Sequence, residues 1–362
     1  MSRENNYDVI MNRKAIIRML VRERKEMKFT QETIAQRMGI ERANLSRFER
    51  GEQNPTLDFL LKYALALGKA PDIILKNNTQ FNQIYREDLE QRKELEYKEM
   101  KPIFKKIQEY KKVIDEYRPL TVAEVKEYDN YLRIGLTYSS NAIEGNTLTL
   151  SETKVLLEDG LTVGGKPLRD CYETTGHASA FDYMVSIARD SDLNITDEMI
   201  CRFHKLFYEK INSDEAGKYR DHQVFITGTD YIPPKADDIP ILMKKFIEEL
   251  DQKKDLVHPI ELAAFAHRKL VDIHPFADGN GRTARLLMNM ILINQGYQPV
   301  SISPVMRLDY YGALRIAQRK NKPSDEAFIA LIAECENEAQ RDFCRMFSIP
   351  MPKKTRAARE ER

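Results

Sequence analysis

The chain has 362 residues, of which 42% are hydrophobic and 31% are charged, and its net charge is +1. This composition is typical of a globular protein, and no apolar run approaches the ~18 residues that a membrane-spanning helix requires. Four scattered cysteines without a CxxC pair argue against a zinc finger and a disulfide scaffold, and the first residues contain no apolar signal segment, so we expect a cytoplasmic protein without a membrane partner.

The charges are unevenly distributed along the chain. Residues 1–76 contain 15 Lys and Arg against 10 Asp and Glu, whereas the remainder contains 42 against 46. Apolar residues at helical spacing, separated by cap and turn residues, predict a first domain of short helices over residues 11–76. Only this basic end of the chain suits a polyanionic partner.

The segment TQETIAQRMGIERANLSRFERGEQNP has the pattern of two short helices that cross closely. Thr30 is suited to cap the first helix, Ala35 leaves room at the crossing, and Gly39 tolerates the positive φ of the turn. Residues 13–69 resemble the lambda-repressor-like (Cro/C1, Xre) helix-turn-helix family, which implies DNA binding. An alternative is a helical protein-interaction module with a solvated basic face.

The resemblance to this helix-turn-helix family also implies individual DNA contacts. Gln31 would contact a phosphate, and Arg42 would donate two hydrogen bonds to the edge of a guanine. The side chains expected to face the major groove are Arg42, Ala43, Asn44, Ser46 and Arg47.

A highly charged segment over residues 80–130 predicts an exposed helical linker. Its apolar residues have helical spacing, and the helix is expected to break near Pro102 and to end at Pro119. Beyond the linker, a second helical domain over residues 131–342 is followed by a polar tail at 343–362.

One segment of the second domain does not have a helical pattern. In KYRDHQVFITGTDYIPP, residues 218–234, β-branched and aromatic residues surround Gly228. This pattern predicts a β-hairpin whose second arm is closed by Pro233 and Pro234.

The short segment SNAIEGN places a carboxylate at the end of a predicted helix. Ser140 and Glu144 are four residues apart, and Gly145 supplies the residue that ends the helix. A carboxylate in the last helical turn is unfavourable by roughly 0.3 to 1 kcal/mol. We therefore expect Glu144 to have a cationic partner elsewhere in the chain.

The segment HPFADGNGRTAR, residues 274–285, concentrates the residues of an anion site. It lies in a loop that begins a buried helix, where free N–H groups and glycines favour a phosphate. Arg282 and Arg285 add two guanidinium groups on one side, as a di- or triphosphate would require. Asp278 among these cations suits Mg²⁺, and His274 is suited to remove a proton near neutral pH.

Two alternatives compete with this interpretation of the loop. A histidine followed by proline at a helix end is often purely structural. A zinc site formed by His267, His274 and Asp278 has enough ligands, but it leaves the glycines and arginines of the loop without a role.

All twelve residues match the signature HPFx(D/E)GNGRxxR of the Fic (Fido-fold) family, and the resemblance extends from about Tyr131 to Asp342, with a core at about 196–337. It implies a mainly α fold, in which a helix-turn-helix bundle precedes an all-α Fic core that carries a β-hairpin flap. The implied reaction is the transfer of AMP from ATP to a Ser, Thr or Tyr hydroxyl of a protein. The target would be another protein or this chain itself. The resemblance also allows a homodimer.

The resemblance implies a role for each residue of the signature. His274 would be the general base, and Asp278 would bind Mg²⁺ or Mn²⁺. The residues expected around the phosphates of ATP are Gly279, Asn280, Gly281, Arg282, Thr283 and Arg285. Those expected on the adenine and ribose side, next to the flap, are Val224, Phe225, Ile226, Thr227, Tyr310, Tyr311 and Gln318.

SNAIEGN matches the inhibitory motif of the same family, (S/T)xxxE(G/N). The resemblance implies that Glu144, supported by Ser140, pairs with Arg285 and denies that arginine to the γ-phosphate. The same Glu144 would position a water in an enzyme that removes AMP. A transcription regulator that only senses nucleotide is a third interpretation, and transfer of another phosphate-linked group is a weaker one.

Overall fold

The computed structural model describes residues 17, 19–50, 56–69, 100–162, 164–190, 192–226 and 229–352. The chain divides into two compact units, Met1–Glu87 and Asp88–Arg362. The division falls within the segment predicted as a linker. Within the described residues, no helix is both long enough and apolar enough to cross a membrane.

The first unit is a small helical bundle. Its helices are α1 (residues 19–26), α2 (Gln31–Met38), α3 (Arg42–Glu49) and α4 (Leu57–Ala66). Thr30 caps α2 by accepting a hydrogen bond from the N–H of Thr33, and Gly39 ends that helix with φ +67°. Ile34, Leu45 and Phe48 are fully buried between the helices. The predicted pair of crossing helices is therefore observed.

A buried carboxylate joins the helices of the first unit. Glu49 at the end of α3 accepts two hydrogen bonds of 2.8 Å from Arg24 and one of 2.6 Å from the Tyr63 hydroxyl. The side-chain amide of Gln31 donates to the same carboxylate at 2.8 Å. Because a buried carboxylate is stable only when it is paired, these contacts define the relative positions of α1, α2, α3 and α4.

The second unit consists of ten described helices. They are α5 (Met100–Tyr117), α6 (Val122–Ile143), α7 (Leu150–Glu158), α8 (Leu168–Ala188), α9 (Asp197–Tyr208), α10 (Ile239–Lys253), α11 (Pro259–Ile273), α12 (Asn280–Asn294), α13 (Arg307–Ala317) and α14 (Glu326–Met346). Helix α12 is central, because 12 of its 15 residues are buried. It packs chiefly against α11 and α8.

Two predictions about the edges of the second domain are wrong. The segment predicted as an exposed linker contains α5, which packs on α14 and buries Ile107 and Ile114 in the core. Pro102 is the third described residue of α5, and the residues before Met100 lie outside the described part of the chain, so the predicted break near Pro102 stays a prediction. The predicted tail also begins too early, since Phe343 and Ile349 are buried; residues 353–362 lie outside the described residues.

The predicted β-hairpin is not observed in the described part of residues 218–234. Residues 219–226 and 229–234 contain no strand, and Thr227 and Gly228 lie outside the described residues. Pro233 and Pro234 lack the N–H groups that a strand ladder requires. The arms are instead held by a side chain, because the amide of Gln223 donates to the carbonyl of Pro233 at 3.0 Å. The fold class is therefore mainly α, as expected.

Candidate active site

The segment HPFADGNGRTAR forms the loop between α11 and α12. His274 ends α11 in the left-handed conformation, with φ +51°, and Gly279 precedes α12 with φ +78°. A Cβ atom at Gly279 would lie 2.8 Å from the ring of Phe207 as well as being strained. The glycine is therefore required both by the turn and by the close packing of the loop on α9.

The side chain of Asn280 is used inside the loop. Its amide donates to the carbonyl of Phe276 at 2.8 Å, and its oxygen accepts from the N–H of Phe276 at 2.9 Å. Asn280 is also buried. The prediction that it surrounds the phosphates can therefore apply only to its backbone N–H at the start of α12. Thr283 is fully buried in α12, so its side chain does not face a ligand in this conformation.

His204 on α9 supports the loop from beneath, a role that sequence analysis did not identify. Its ring stacks on Phe276 with centroids 3.9 Å apart. Nδ1 accepts from the N–H of Gly217 at 2.9 Å, so the ring proton is on Nε2, which donates to the carbonyl of Asp278 at 3.1 Å. Burial lowers the pKa of His204 to about 4, which keeps it neutral.

His274 keeps one ring nitrogen available to accept a proton. Nδ1 lies 3.2 Å from the carbonyl of Val271, so this nitrogen carries the proton and Nε2 is left as the acceptor. Burial lowers the pKa of His274 below its usual value of 6.5. The carbonyl oxygen of the same residue accepts a hydrogen bond of 2.8 Å from Arg220.

Arg282 is a buried cation with unused donor capacity. Its guanidinium lies 4.2 Å above the ring of Phe207 and pairs with Glu173 at 3.2 Å and with Asp278 at 3.4 Å. Within the described residues, its Nε has no hydrogen-bond partner. Glu173 and its neighbour Arg169, both on α8, are further site residues that sequence analysis did not identify.

Asp278 is the exposed carboxylate of the loop. It pairs with Arg169 at 2.9 Å, and its side chain is 43% exposed. The described residues contain no group of three His, Cys, Asp or Glu that could hold a metal ion, and His267 bonds Tyr310 at 3.0 Å instead, which argues against the zinc alternative. One exposed carboxylate does fit Mg²⁺, which uses one or two carboxylates together with substrate phosphates.

Arg285 has polar partners for all three of its nitrogens. Nε donates to the Ser140 hydroxyl at 2.9 Å, and Nη1 donates to the Tyr310 hydroxyl at 3.1 Å. Nη2 donates both to the Ser140 carbonyl at 2.9 Å and to the Glu144 carboxylate at 2.7 Å. The cationic partner expected for Glu144 is therefore Arg285, and Tyr311 donates a further hydrogen bond to this carboxylate at 3.2 Å.

The carboxylate of Glu144 lies directly against the first turn of α12. A Cβ atom added to Gly281 would collide with Oε1 of Glu144, so this glycine leaves the space that the carboxylate occupies. Burial alone raises the pKa of Glu144, but the charges of Arg285 and Arg282 outweigh it and the net shift is downward. Glu144 is therefore an ionised carboxylate beside Arg285 and the first turn of α12.

Comparison with known proteins agrees with this geometry. Residues 194–292 match the model of the Fic/DOC family, and residues 20–74 match a helix-turn-helix family model. The match to the Fic/DOC family lies within the second unit. The resemblance identified from the loop and from the N-terminal helices is thereby confirmed.

Similar proteins include those named Protein adenylyltransferase Fic. The relative from Nematostella vectensis is 43% identical over 199 residues, which is 55% of this chain and 45% of the relative. The relative from Drosophila melanogaster is 40% identical over 200 residues, which is 55% of this chain and 39% of the relative. The chain thus spans less than half the length of these relatives.

Solved structures have the same fold. A Fic domain containing signaling protein from Bacteroides thetaiotaomicron is 25% identical, with a TM-score of 0.58 over 66% of this chain and 95% of that one. A Fic family protein from Desulfovibrio desulfuricans is 28% identical, with a TM-score of 0.56 over 68% and 74%. Fic-1 from C. elegans, at 24% identity and a TM-score of 0.59 over 85% and 82%, shows the fold alone.

The residues predicted for the adenine side of the Fic/DOC domain are not all brought together. Val224 and Ile226 are partly buried, and Phe225 is 79% exposed; Thr227 lies outside the described residues. Tyr310 is buried, with the guanidinium of Arg285 5.6 Å from its ring centroid, and its contact with the nucleotide stays a prediction. Tyr311 contacts Glu144, and Gln318 donates to Asp272 at 2.8 Å.

The predicted DNA contacts of the helix-turn-helix domain fall on one helix, with one exception. Arg42, Ala43 and Arg47 are exposed on α3, and Asn44 and Ser46 are partly exposed. Gln31 is different, because the amide group expected to contact a phosphate donates to Glu49.

Proposed function

We propose that this protein is a protein adenylyltransferase, which transfers AMP from ATP to a hydroxyl side chain of a protein. The observation that carries the proposal is that one loop begins with neutral His274 and leads into α12 with Arg282, a buried guanidinium whose Nε has no partner among the described residues. A buried donor of this kind suits a phosphate ligand. The names of the similar proteins support the same reaction.

The reaction requires one proton transfer and one displacement at phosphorus. Nε2 of His274 would take the proton of the target hydroxyl as its oxygen attacks the α-phosphorus of ATP. A new P–O bond forms, the bond to the β-phosphate oxygen breaks, and pyrophosphate leaves. General-base assistance of this kind contributes about 10²- to 10⁴-fold.

Two charged residues would hold the phosphates and the cation. Arg282 would hold the phosphates beside the N–H groups that begin α12. Asp278 would hold Mg²⁺ or Mn²⁺, which neutralises charge on the transferred and leaving phosphates when bound. Because Asp278 pairs with Arg169 in the free protein, metal binding requires that this ion pair be exchanged.

We further propose that the enzyme is autoinhibited through Glu144. All three nitrogens of Arg285 are occupied by Ser140, Tyr310 and Glu144, so none is available to the γ-phosphate. The ionised carboxylate against Gly281 would also repel a phosphate at the start of α12. Release of Glu144 would free Arg285 and remove this negative charge.

The segment of residues 222–234 is proposed as the flap over the nucleotide. Its exposed apolar side chains, Phe225 and Ile232, suit contact with a target protein, and an extended target segment would pair with its backbone. Val224–Thr227, Tyr311 and Gln318 would then flank the adenine and ribose.

The helix-turn-helix domain is proposed to bind DNA through α3. The exposed arginines Arg42 and Arg47 and the basic charge of residues 1–76 support this role. We also propose that the protein is cytoplasmic, that it modifies itself and that it forms a homodimer.

Removal of AMP is the second candidate activity. An ionised Glu144 that accepts a hydrogen bond from Tyr311 near the start of α12 would be able to orient a water toward the α-phosphate of a modified target.

One labelling experiment tests the main proposal. The full chain is incubated with Mg²⁺ and ATP labelled on the α-phosphate, and labelled protein is located by mass spectrometry. We expect AMP on a hydroxyl side chain with the Glu144→Gly variant and none with Glu144→Gly/His274→Ala. ATP labelled on the γ-phosphate serves as the control. Label from γ-labelled ATP, or no transfer by Glu144→Gly, would contradict the proposal.

A further inference from the structure

Arg220 is a buried arginine that binds backbone carbonyls rather than a carboxylate. It is 5% exposed, and the described residues contain no ion pair that involves it. Its Nε donates to the carbonyl of His274 at 2.8 Å, Nη1 to that of His222 at 2.7 Å and Nη2 to that of Pro234 at 2.6 Å. A buried cation without a counter-ion is costly, so these three hydrogen bonds must all be well formed.

The three acceptors join parts of the domain that are distant in sequence. His222 and Pro234 are the two ends of the flap segment, and His274 is the proposed general base. The backbone N–H of Arg220 adds a fourth link, because it donates to the carbonyl of Pro275 at 2.9 Å. One residue therefore closes the base of the flap segment and fastens both ends to the active-site loop.

The contact with His274 acts where the backbone is strained. A histidine with φ +51° is an uncommon conformation that persists only when its surroundings hold it. Its carbonyl lies at the C-terminal end of α11, where a cation is favourable. Tyr231 in the flap segment donates to the neighbouring carbonyl of Asp272 at 3.0 Å, which is a second link between the flap segment and this helix end.

We propose that Arg220 is a positioning residue that couples the flap segment to His274. It holds the backbone of His274 in the left-handed conformation, and it holds the two ends of the flap segment together when a target binds. The inference rests on the proposed transfer reaction for its catalytic consequence, whereas the coupling itself is a property of the free protein.

Only arginine can satisfy this arrangement. Its planar guanidinium presents donors in three directions from one charge, whereas a lysine ammonium on a flexible stem cannot reach all three carbonyls with the same geometry. Arg220→Lys keeps the charge and Arg220→Met removes it, so the pair separates charge from geometry. Arg202→Met is the matched control, because Arg202 is an exposed arginine of the same domain that stacks on Tyr183.

The first experiment measures hydrogen exchange without nucleotide. In the full chain, Arg220→Met should raise amide exchange in peptides that cover residues 221–235 and 274–279 by about tenfold or more, while peptides from α6 and α12 change little. Arg220→Lys should give an intermediate effect, and Arg202→Met should match the wild type. Unchanged exchange in Arg220→Met, or a uniform increase over the whole domain, would overturn the coupling.

The second experiment measures AMP transfer in the Glu144→Gly background. Misplacement of the base and the flap should lower kcat of Arg220→Met by roughly 100-fold while KM for ATP stays within about twofold, because Arg220 does not contact the phosphate-binding arginines. Arg220→Lys should recover part of kcat. A higher KM for ATP with unchanged kcat would overturn the positioning role. If Glu144→Gly itself transfers no AMP, the proposed function fails, and the exchange experiment alone decides the coupling.

Discussion

Arg282 and Arg285 lie three residues apart on α12 but have very different partners. Arg285 is enclosed by Ser140, Glu144 and Tyr310, whereas Arg282 keeps an unpaired Nε above Phe207. Ser140 and Glu144 reach the same guanidinium because residues four apart share one face of a helix. The segment SNAIEGN, at the C-terminal end of α6, thus binds Arg285 and leaves Arg282 available for a ligand.

The first prediction at the scale of residues concerns the Glu144 to Arg285 ion pair. Suppose that the ion pair favours the inhibited state, in which Glu144 occupies Arg285, by about 2 to 3 kcal/mol. Only about 1 to 3% of molecules would then bind ATP productively. Glu144→Gly should therefore raise the rate of automodification by roughly 30- to 100-fold, measured with α-labelled ATP.

Arg285 provides the control for this prediction. Arg285→Ala should not activate the enzyme, because the γ-phosphate loses its guanidinium. The double variant should resemble Arg285→Ala alone, since relief acts through the freed arginine. Equal rates for Glu144→Gly and wild type would contradict autoinhibition without contradicting the assignment of His274.

The second prediction concerns the pH dependence of transfer. Burial lowers the pKa of His274 from 6.5, so the ring remains neutral and able to accept a proton at pH values where an exposed histidine is already charged. In the Glu144→Gly variant, the midpoint of the fall in kcat toward acid pH should therefore lie below 6.5, the usual pKa of a histidine. A kcat that is already halved at pH 6.5 would show that the base is not the buried His274.

At the scale of whole elements, the sequence predicted the helix-turn-helix pair and the loop between α11 and α12 correctly because their signals are local. The cap at Thr30, the turn at Gly39 and the spacing within the loop can be read from adjacent residues. The partners of Arg220 cannot be read from adjacent residues, since the carbonyls of Pro234 and His274 lie 14 and 54 residues away in the chain. The sequence shows the apolar spacing of α5, but it does not show that α14, which is distant in the chain, covers Ile107 and Ile114.

The third prediction concerns α3 and is made at the scale of this element. Arg42 is exposed, so Arg42→Ala should relax sequence preference in DNA binding with little loss of stability. Gln31 contacts Glu49 instead, so Gln31→Ala should mainly reduce the stability of the first unit, by about 0.5 to 1.5 kcal/mol. Gel-shift assays on the gene's own promoter fragment and thermal unfolding measure the two effects. No wild-type shift at low salt would favour the protein-interaction module.

At the scale of the whole molecule, the second unit buries an acidic group far from any catalytic role. Glu336 on α14 is fully buried and accepts a hydrogen bond of 3.0 Å from the N–H of Gln298. The side-chain oxygen of Gln298 in turn accepts from the Tyr128 hydroxyl at 2.8 Å, so this network connects α6, α14 and the segment after α12. Burial raises the pKa of Glu336 well above its usual value, which favours the protonated carboxyl in the folded protein.

The last prediction follows from this raised pKa. Below about pH 4.5 the carboxyl is protonated in both the folded and the unfolded chain, and its contribution to stability is fully present. As the pH rises toward the folded pKa, only the unfolded chain ionises, so the free energy of unfolding decreases. Glu336→Gln keeps an acceptor for Gln298 but cannot ionise. It should therefore match the wild type near pH 4, and its free energy of unfolding should exceed that of the wild type by an amount that grows as the pH rises from there.

Calorimetry of the full chain at several pH values checks this prediction, and Glu338→Gln is the control because Glu338 is exposed on the same helix. The control should show no such growing difference between variant and wild type. A difference between Glu336→Gln and wild type that is independent of pH would mean that Glu336 is ionised in the folded protein. In that case Arg118 and Lys111, whose charges act to lower the pKa of Glu336, would have to supply the compensating charge.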